Sequence, residues 1–214
     1  MTTSHSHMDA GAAGRRVIEQ RGLYFDELEE GVAYAHRPGR TVTETDNVLF
    51  TTMTMNTQSL HLDAAWSAGQ PFGQRLMNSM FTLATMVGQS VPQLTQGTII
   101  AQLGLTDVSF PHPLFHGDTL YTETVVTGKR LSSSRPGQGI VTMEHTGRNQ
   151  DGTVVARATR SCLMWTRDAH TAQQSGTQSG THAAAQPGAQ PGSQQDGPRE
   201  AASPEAAEKG RIEA

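Results

Sequence analysis

The chain has 214 residues and a formal net charge of −4, a length that allows one domain with an appendage and a charge that indicates no nucleic-acid or acidic-membrane partner. Its one cysteine, Cys162, excludes an internal disulfide and a cysteine metal cluster. It has no run of about 18 apolar residues to span a membrane and no apolar segment at its N-terminus, so the sequence predicts a cytoplasmic protein without a membrane partner.

Composition divides the chain into three parts. Residues 1–21 are mostly small and polar and are predicted to be a disordered leader. Residues 22–167 carry the apolar patterns of one folded domain. Residues 168–214 are rich in Gln, Gly, Ala and Pro and lack aromatic residues, so they cannot bury enough apolar surface to offset the entropy of ordering them. This last part is predicted to be a disordered tail.

The first predicted elements are an edge-like strand over 32–41 and a helix over 44–55. Thr43 supplies a capping hydroxyl for that helix, and Asp46 places a carboxylate near the positive end of the helix dipole. A short helical turn is predicted over 63–67. The stretch from Met55 to Asp63 links these two helical segments.

A long apolar helix over 72–91 is the centre of the predicted fold. Apolar residues cover most of its circumference, which is typical of a buried helix. One polar stripe, formed by Asn78, Thr82, Thr85 and Gln89, also recurs at helical spacing. Such a stripe either faces water or lines a site, and the sequence leaves both interpretations open.

Four strand-like runs follow this helix, over about 98–110, 119–131, 139–149 and 153–166. They carry β-branched residues with turn residues between them, and Asp151-Gly152 is a strong hairpin signal. One early strand, then helices, then four antiparallel strands form an α+β order.

The stretch from Met55 to Asp63 is the densest group of polar side chains beside apolar ones. It places a histidine, two amides, two hydroxyls and a carboxylate among apolar residues. Polar groups in such surroundings cost free energy unless something uses or satisfies them. This stretch is therefore the candidate site, although His61 alone would also fit a histidine that caps neighbouring backbone.

The same stretch resembles the hydratase motif of the MaoC-like, (R)-specific enoyl-CoA hydratases, Asp-x-Asn-Pro-Leu-His followed by x-Asp. In that register the family's catalytic Asp falls on Asn56, its Asn on Gln58, its Pro on Ser59 and its catalytic His on His61. Two further segments resemble the family in the same order. They are Asn78-Ser79-Met80, at the family's His-Gly helix entry, and the run from Pro113 to Asp118, at its Pro-Val-Phe-x-Gly-Asp segment.

The resemblance covers about residues 23–166 and implies a single hot-dog domain, in which a curved antiparallel sheet wraps around a long central helix. It also implies an acyl-CoA thioester as the substrate. CoA then arrives as part of that substrate, and no metal or other cofactor is expected. A homodimer whose facing helix ends build two sites is the expected assembly.

Hydration of a 2-enoyl thioester needs a base for water, an acid for the α-carbon and donors for the thioester oxygen. The resemblance assigns acid–base chemistry to His61 and the oxyanion to the backbone amide of Ser79. Asn56 differs from the family, because an amide orients water but accepts no proton near neutral pH. Either His61 is then the principal acid and base, or a nearby carboxylate, Asp63 or Asp46, supplies the base.

Four residues complete the predicted site as substrate-binding groups: Gln58, Asp63, Asn78 and Met80. For Asn78 a locally satisfied polar residue at the helix start is an equal alternative. The substitutions in the motif resemble MaoC-like proteins associated with branched or C5-dicarboxylic acyl-CoAs, such as mesaconyl- or itaconyl-CoA. Such a substrate requires a cation for its distal carboxylate, and the candidates are Arg37, Arg40 and Arg75.

Two other functions are compatible with the same fold. A thioesterase commonly uses a carboxylate on or near the central helix, and the absence of Asp and Glu between Asp63 and Asp107 disfavours it. A non-catalytic acyl-CoA-binding or regulatory protein would keep the pocket and lose the base. Asn56 favours that function, and the presence of His61 disfavours it.

Overall fold

The computed structural model describes residues 17–179. One antiparallel sheet of five strands, in the order β1-β3-β4-β5-β2, covers the central helix α4. After a 3-10 turn at Phe25–Glu27, the elements in chain order are β1 (Ala33–Thr41), α1 (Glu44–Met53), α2 (Ser59–Leu62), α3 (Ala64–Ala68), α4 (Ser79–Leu94), β2 (Ile99–Ser109), β3 (Thr119–Leu131), β4 (Gln138–Arg148), β5 (Val154–Trp165) and α5 (Arg167–Ser179).

The sheet confirms the predicted α+β hot-dog architecture. Every pair of neighbouring strands is antiparallel, and β1 and β2 form its two edges. Along β3 and β4 buried and more exposed residues alternate, so one face of the sheet packs towards α4. Gly152, in the predicted β4–β5 hairpin, has φ 80°, a conformation that glycine adopts without steric cost.

A layer of hydrogen-bonded polar side chains lies between two apolar parts of the core. His36 Nε2 and His145 Nδ1 each lie 2.7 Å from the hydroxyl oxygen of Thr124, and His36 Nδ1 lies 2.8 Å from Gln93 Oε1. Thr124 lies on β3 between Leu120 of one apolar cluster and Val126 of the other. The core is therefore polar between its two apolar clusters, and each of its two histidines bonds the Thr124 hydroxyl.

The central helix differs from its prediction at both ends. It begins at Ser79 rather than at residue 72, because the Asn78 side chain caps it by accepting a hydrogen bond from the Met80 amide. It also continues through Pro92, in its last turn, to Leu94. On its polar stripe, Gln89 bonds the Leu120 carbonyl and the Thr122 hydroxyl, so the stripe faces the sheet at that point.

Residues 168–179, which the sequence assigns to the start of a disordered tail, form most of α5. The Asp26 carboxylate accepts a hydrogen bond from the Arg167 amide at 2.8 Å and so anchors the first turn. His170 stacks on Trp165 with ring centroids 5.6 Å apart. These tertiary contacts stabilise a helix in a segment whose composition alone predicts disorder. Residues 1–16 of the predicted leader and residues 180–214 of the predicted tail lie outside the described residues.

Among residues 17–179 no helix has the length and apolar composition needed to cross a membrane. Cys162 is fully buried on β5, and burial raises the pKa of its thiol.

Candidate active site

A reversal of the backbone brings the candidate motif back towards α4. Thr43 caps α1 as the sequence predicts, with its hydroxyl accepting the Asp46 backbone N–H. The Asp46 carboxylate in turn accepts the Thr43 backbone N–H. After α1, Met55 adopts a positive φ of 57°, and the backbone N–H of Asn56 donates a hydrogen bond to the Thr51 carbonyl at 2.9 Å. A non-glycine residue in this conformation is strained, which is common near functional sites.

His61 is nearly buried on α2, with 8% of its surface exposed. Its Nδ1 lies 3.0 Å from the carbonyl oxygen of Leu76, just before α4. A carbonyl only accepts hydrogen bonds, so Nδ1 carries the proton, and in the neutral ring Nε2 keeps the lone pair. The ring is therefore held in the tautomer that can act as a base through Nε2.

The start of α4 supplies a hydrogen-bond donor. Ser79 is the first residue of the helix, so its amide has no acceptor within the helix, and none is found among residues 17–179. The helix dipole places partial positive charge at this end. Ser79 lines a cleft of about 180 Å³ together with Leu76, Thr82 and His112. An amide in this position can stabilise developing negative charge on a bound group.

Three of the predicted site residues meet in a neighbouring cavity. Asn56, Asn78 and Met80 line it together, with Phe50 and Thr54. The Asn78 side chain is used as the α4 cap, which is the local role that the sequence left open. Asn56 Oδ1 accepts a hydrogen bond from the Gln58 amide at 3.1 Å, and the structure records no hydrogen bond for its side-chain NH2.

The remaining predicted residues lie at the margin. Gln58 is exposed and precedes α2 as its N-cap, without a side-chain capping bond. Asp63 is exposed, and its carboxylate accepts a hydrogen bond from the Trp66 amide at the start of α3. Although partial burial opposes it, hydrogen bonds from Thr43 and the charge of Arg40 hold the pKa of Asp46 below its ordinary value. Both near carboxylates are thus engaged in capping helices.

Asn47 is a site residue that the sequence analysis missed. It is fully buried on α1. Its Nδ2 lies within hydrogen-bond distance of the His61 and Leu76 carbonyls and of His116 Nε2, and its Oδ1 accepts from the Asn78 amide. A signal was present in the sequence, because Asn47 and Thr51 lie four residues apart and form the buried face of α1.

His116 adjoins this group from the connector before β3. Burial, and secondarily the charge of Arg75, lower its pKa below the ordinary value. A lowered pKa favours the neutral ring, whose Nε2 then accepts the hydrogen bond from Asn47. The charged neighbours of His116 are Arg75 and Glu44, which form an ion pair with each other.

The three candidate cations have different surroundings. Arg40 pairs with Asp46, and Arg75 pairs with Glu44. Arg37 bonds the His36 carbonyl and lies over the ring of Tyr121, 5.0 Å from its centroid. Within residues 17–179 no group of three or more His, Cys, Asp or Glu side chains is placed to hold a metal ion.

Comparisons with known proteins bear on the family and the fold of the chain. A family model described as the MaoC like domain matches residues 27–149. A mesaconyl-CoA hydratase from Haloarcula marismortui is 30% identical over 138 residues, which cover 64% of this chain and 38% of that protein. The chain therefore spans about two fifths of the length of this curated relative.

Solved structures resemble the fold over most of the described residues. A monoamine oxidase regulatory protein from Archaeoglobus fulgidus superimposes with a TM-score of 0.62 and 28% identity, covering 70% of this chain and 98% of that one. A Mycobacterium tuberculosis protein described as having a double hot-dog fold gives a TM-score of 0.61 at 27% identity, covering 69% of this chain and 46% of that one.

Proposed function

Because the chain belongs to the MaoC-like domain family, we propose that it adds water reversibly across the 2,3 double bond of an enoyl-CoA thioester. In the reverse direction the same hydro-lyase would dehydrate a 3-hydroxyacyl-CoA. The observation that carries this proposal is the pairing of His61 with the start of α4. The Leu76 carbonyl fixes the imidazole with Nε2 as its basic atom, and the free amide of Ser79 lies three residues further along.

In this proposal one histidine performs both proton transfers. His61 Nε2 removes a proton from water as the water oxygen bonds to C3, and the resulting imidazolium returns a proton to C2. Between these steps the negative charge resides on the thioester oxygen, where the Ser79 amide and the helix dipole stabilise it. Asn56 orients the water through its side-chain amide without exchanging a proton with it. The reaction needs no metal or redox cofactor, and CoA enters with the substrate.

We propose a short branched or C5-dicarboxylic acyl group of the mesaconyl- or itaconyl-CoA type. Support comes from the substituted motif and from the named activity of the Haloarcula relative. We choose Arg75 as the cation for a distal carboxylate, because it directly precedes Leu76, whose carbonyl holds His61. Its partner Glu44 has an exposed side chain, and solvent weakens such an ion pair, so a substrate carboxylate can compete for the guanidinium.

A panel of enoyl-CoA substrates tests both parts of this proposal. We expect turnover, with kcat/KM higher for mesaconyl- or itaconyl-CoA than for crotonyl-CoA. Arg75→Gln is expected to reduce that preference, whereas Glu44→Gln, which removes the other partner of the ion pair, should preserve it. Equal preference for crotonyl-CoA would contradict the dicarboxylic substrate. Tight acyl-CoA binding without any turnover would favour the non-catalytic alternative.

We propose that a second copy of the chain covers the open side of α4. An apolar groove runs between this helix and edge strand β2, and it is lined by Met80, Leu83, Ala84, Val87, Gly88, Gln102 and Leu105. Met80 and Leu103 are each 50% exposed in the single chain. An edge strand beside an exposed apolar face favours pairing with another strand and burial of that face.

Gly88→Glu is expected to convert the dimer to a monomer. A Cβ atom at Gly88 has no neighbour within 4 Å, so the protomer accommodates a side chain there, while a buried carboxylate at a dimer contact is costly. Sedimentation velocity measures the change, with Thr127→Glu on the exposed surface of β3 as a control. A monomeric wild-type protein, or a dimeric Gly88→Glu variant, would contradict the assembly.

A further inference from the structure

We infer that Asn47 is the positioning residue that holds the acid–base histidine and the oxyanion amide in register. This inference rests on the proposed hydratase function. Asn47 reaches the backbone of His61, the Leu76 carbonyl that orients the histidine ring, and the amide of Asn78 at the start of α4. The two halves of the site belong to separate segments, and one buried amide bonds to both.

The contacts fix the orientation of the Asn47 amide by chemistry. Oδ1 lies 2.9 Å from the Asn78 N–H, which can only donate, so this atom must be the oxygen. Nδ2 lies 3.2 Å from the His61 carbonyl and 3.0 Å from the Leu76 carbonyl, which can only accept. A flipped amide would place like groups against each other at all three contacts.

The third neighbour of Nδ2 fits the same pattern. His116 Nε2 lies 3.0 Å away, and it is an acceptor when the ring is neutral with its proton on Nδ1. Two N–H groups thus face three acceptors, so at least one hydrogen is shared. Protonating His116 would set a donor against the Asn47 NH2 group and remove one of its three acceptors.

The Leu76 carbonyl transmits the effect of Asn47 to the reacting group. It accepts from both Asn47 Nδ2 and His61 Nδ1, each at 3.0 Å. Removing the Asn47 donor frees this carbonyl to move, and the imidazole moves with it. On the other side Oδ1 holds the Asn78 amide, one residue before Ser79. Catalytic groups displaced by about 1 Å can lose on the order of 10²-fold in rate.

Asn47→Ala and Asn47→Asp test this role, with Thr51→Val as the matched control. Thr51 is equally buried on the same face of α1, and its hydroxyl has no partner among the described residues. We expect Asn47→Ala to lower kcat on the order of 10²-fold with KM changed only a few-fold, because the groups that bind substrate remain. Thr51→Val should retain wild-type kcat and KM.

Asn47→Asp keeps the oxygen that accepts from Asn78 and replaces the donor with an acceptor. A carboxylate there would favour the protonated forms of His61 and His116, so we expect the acidic limb of the kcat–pH profile to move to higher pH. That shift would show that position 47 is electrostatically coupled to the acid–base group, while the loss of kcat in Asn47→Ala tests the positioning itself. Variants that are less stable, yet match Thr51→Val in kcat and pH profile once folded, would overturn the positioning role.

Nuclear magnetic resonance of 15N-histidine-labelled protein gives a readout that does not require turnover. We expect the wild type to show His61 as the Nδ1–H tautomer, with that proton protected from exchange, and both Asn47 variants to lose the protection. If the wild type turns over no substrate but shows this difference, the hydratase proposal fails and the positioning of His61 stands. Unchanged protection in both variants would refute the positioning role.

Discussion

Replacing His61 with alanine is expected to lower kcat for hydration by about 10²–10⁴-fold. Among the described residues His61 is the group at the motif that can accept a proton near neutral pH. Asn56 is an amide, and the nearby carboxylates of Asp46 and Asp63 cap helices. His61→Gln should cause a loss of similar size, because it offers a donor to the Leu76 carbonyl and still no base.

His170→Gln is the control for losing a histidine as such. His170 lies on α5 and stacks on Trp165, so the His170→Gln variant should retain wild-type turnover. Thermal unfolding of each variant separates a loss of catalysis from a loss of fold. A folded His61→Ala variant that keeps kcat within tenfold of the wild type would place the base on another residue.

The free energy of unfolding is expected to fall by about 5 kcal/mol between pH 6.5 and pH 3 through His145 alone. This histidine is fully buried, and burial, followed by the charges of Arg160 and His36, lowers its pKa from 6.5 to about 3. The unfolded chain binds a proton below pH 6.5 while the folded protein does not, so acid favours unfolding across this window. Above pH 6.5 His145 is neutral in both the folded and the unfolded state, so its titration no longer lowers the free energy of unfolding.

Urea denaturation at a series of pH values measures this effect, with His145→Gln as the comparison. The variant keeps a polar side chain near the Thr124 hydroxyl and has no group to titrate. We expect its unfolding free energy to depend less steeply on pH, even if it is lower at pH 7. Burial also lowers the pKa of His36, so part of the slope should remain. Identical slopes for variant and wild type would contradict the assignment to His145.

Local sequence signals predicted most of the fold. β-branched runs bounded by turn residues located β2 to β5 to within a few residues, because a strand and its hairpin are specified by nearby residues. The start of α4 was less predictable, since apolar residues recur at helical spacing before it. The cap at Asn78, rather than the apolar pattern, decides where this helix begins.

The motif predicted part of the site, because it identified His61 and the start of α4 as neighbours in function. Their roles in catalysis stay predictions. Asn47 escaped detection because its importance depends on contacts with Leu76, Asn78 and His116, all of them distant in sequence. Composition likewise missed α5, whose anchors Asp26 and Trp165 lie outside the helix. Such features depend on which segments meet in the folded chain.

Hydration in 18O-labelled water, followed by mass spectrometry of the acyl-CoA products, tests the proposed reaction most directly. Purified protein would be incubated with mesaconyl-CoA and, separately, with crotonyl-CoA. We predict an 18O atom in the hydroxyl group of a hydroxyacyl-CoA whose thioester is intact, and no such product with His61→Ala. Label found only in a free acid, with CoA released, would indicate a thioesterase. Bound but unchanged enoyl-CoA would indicate a binding protein, and either result would contradict the hydratase.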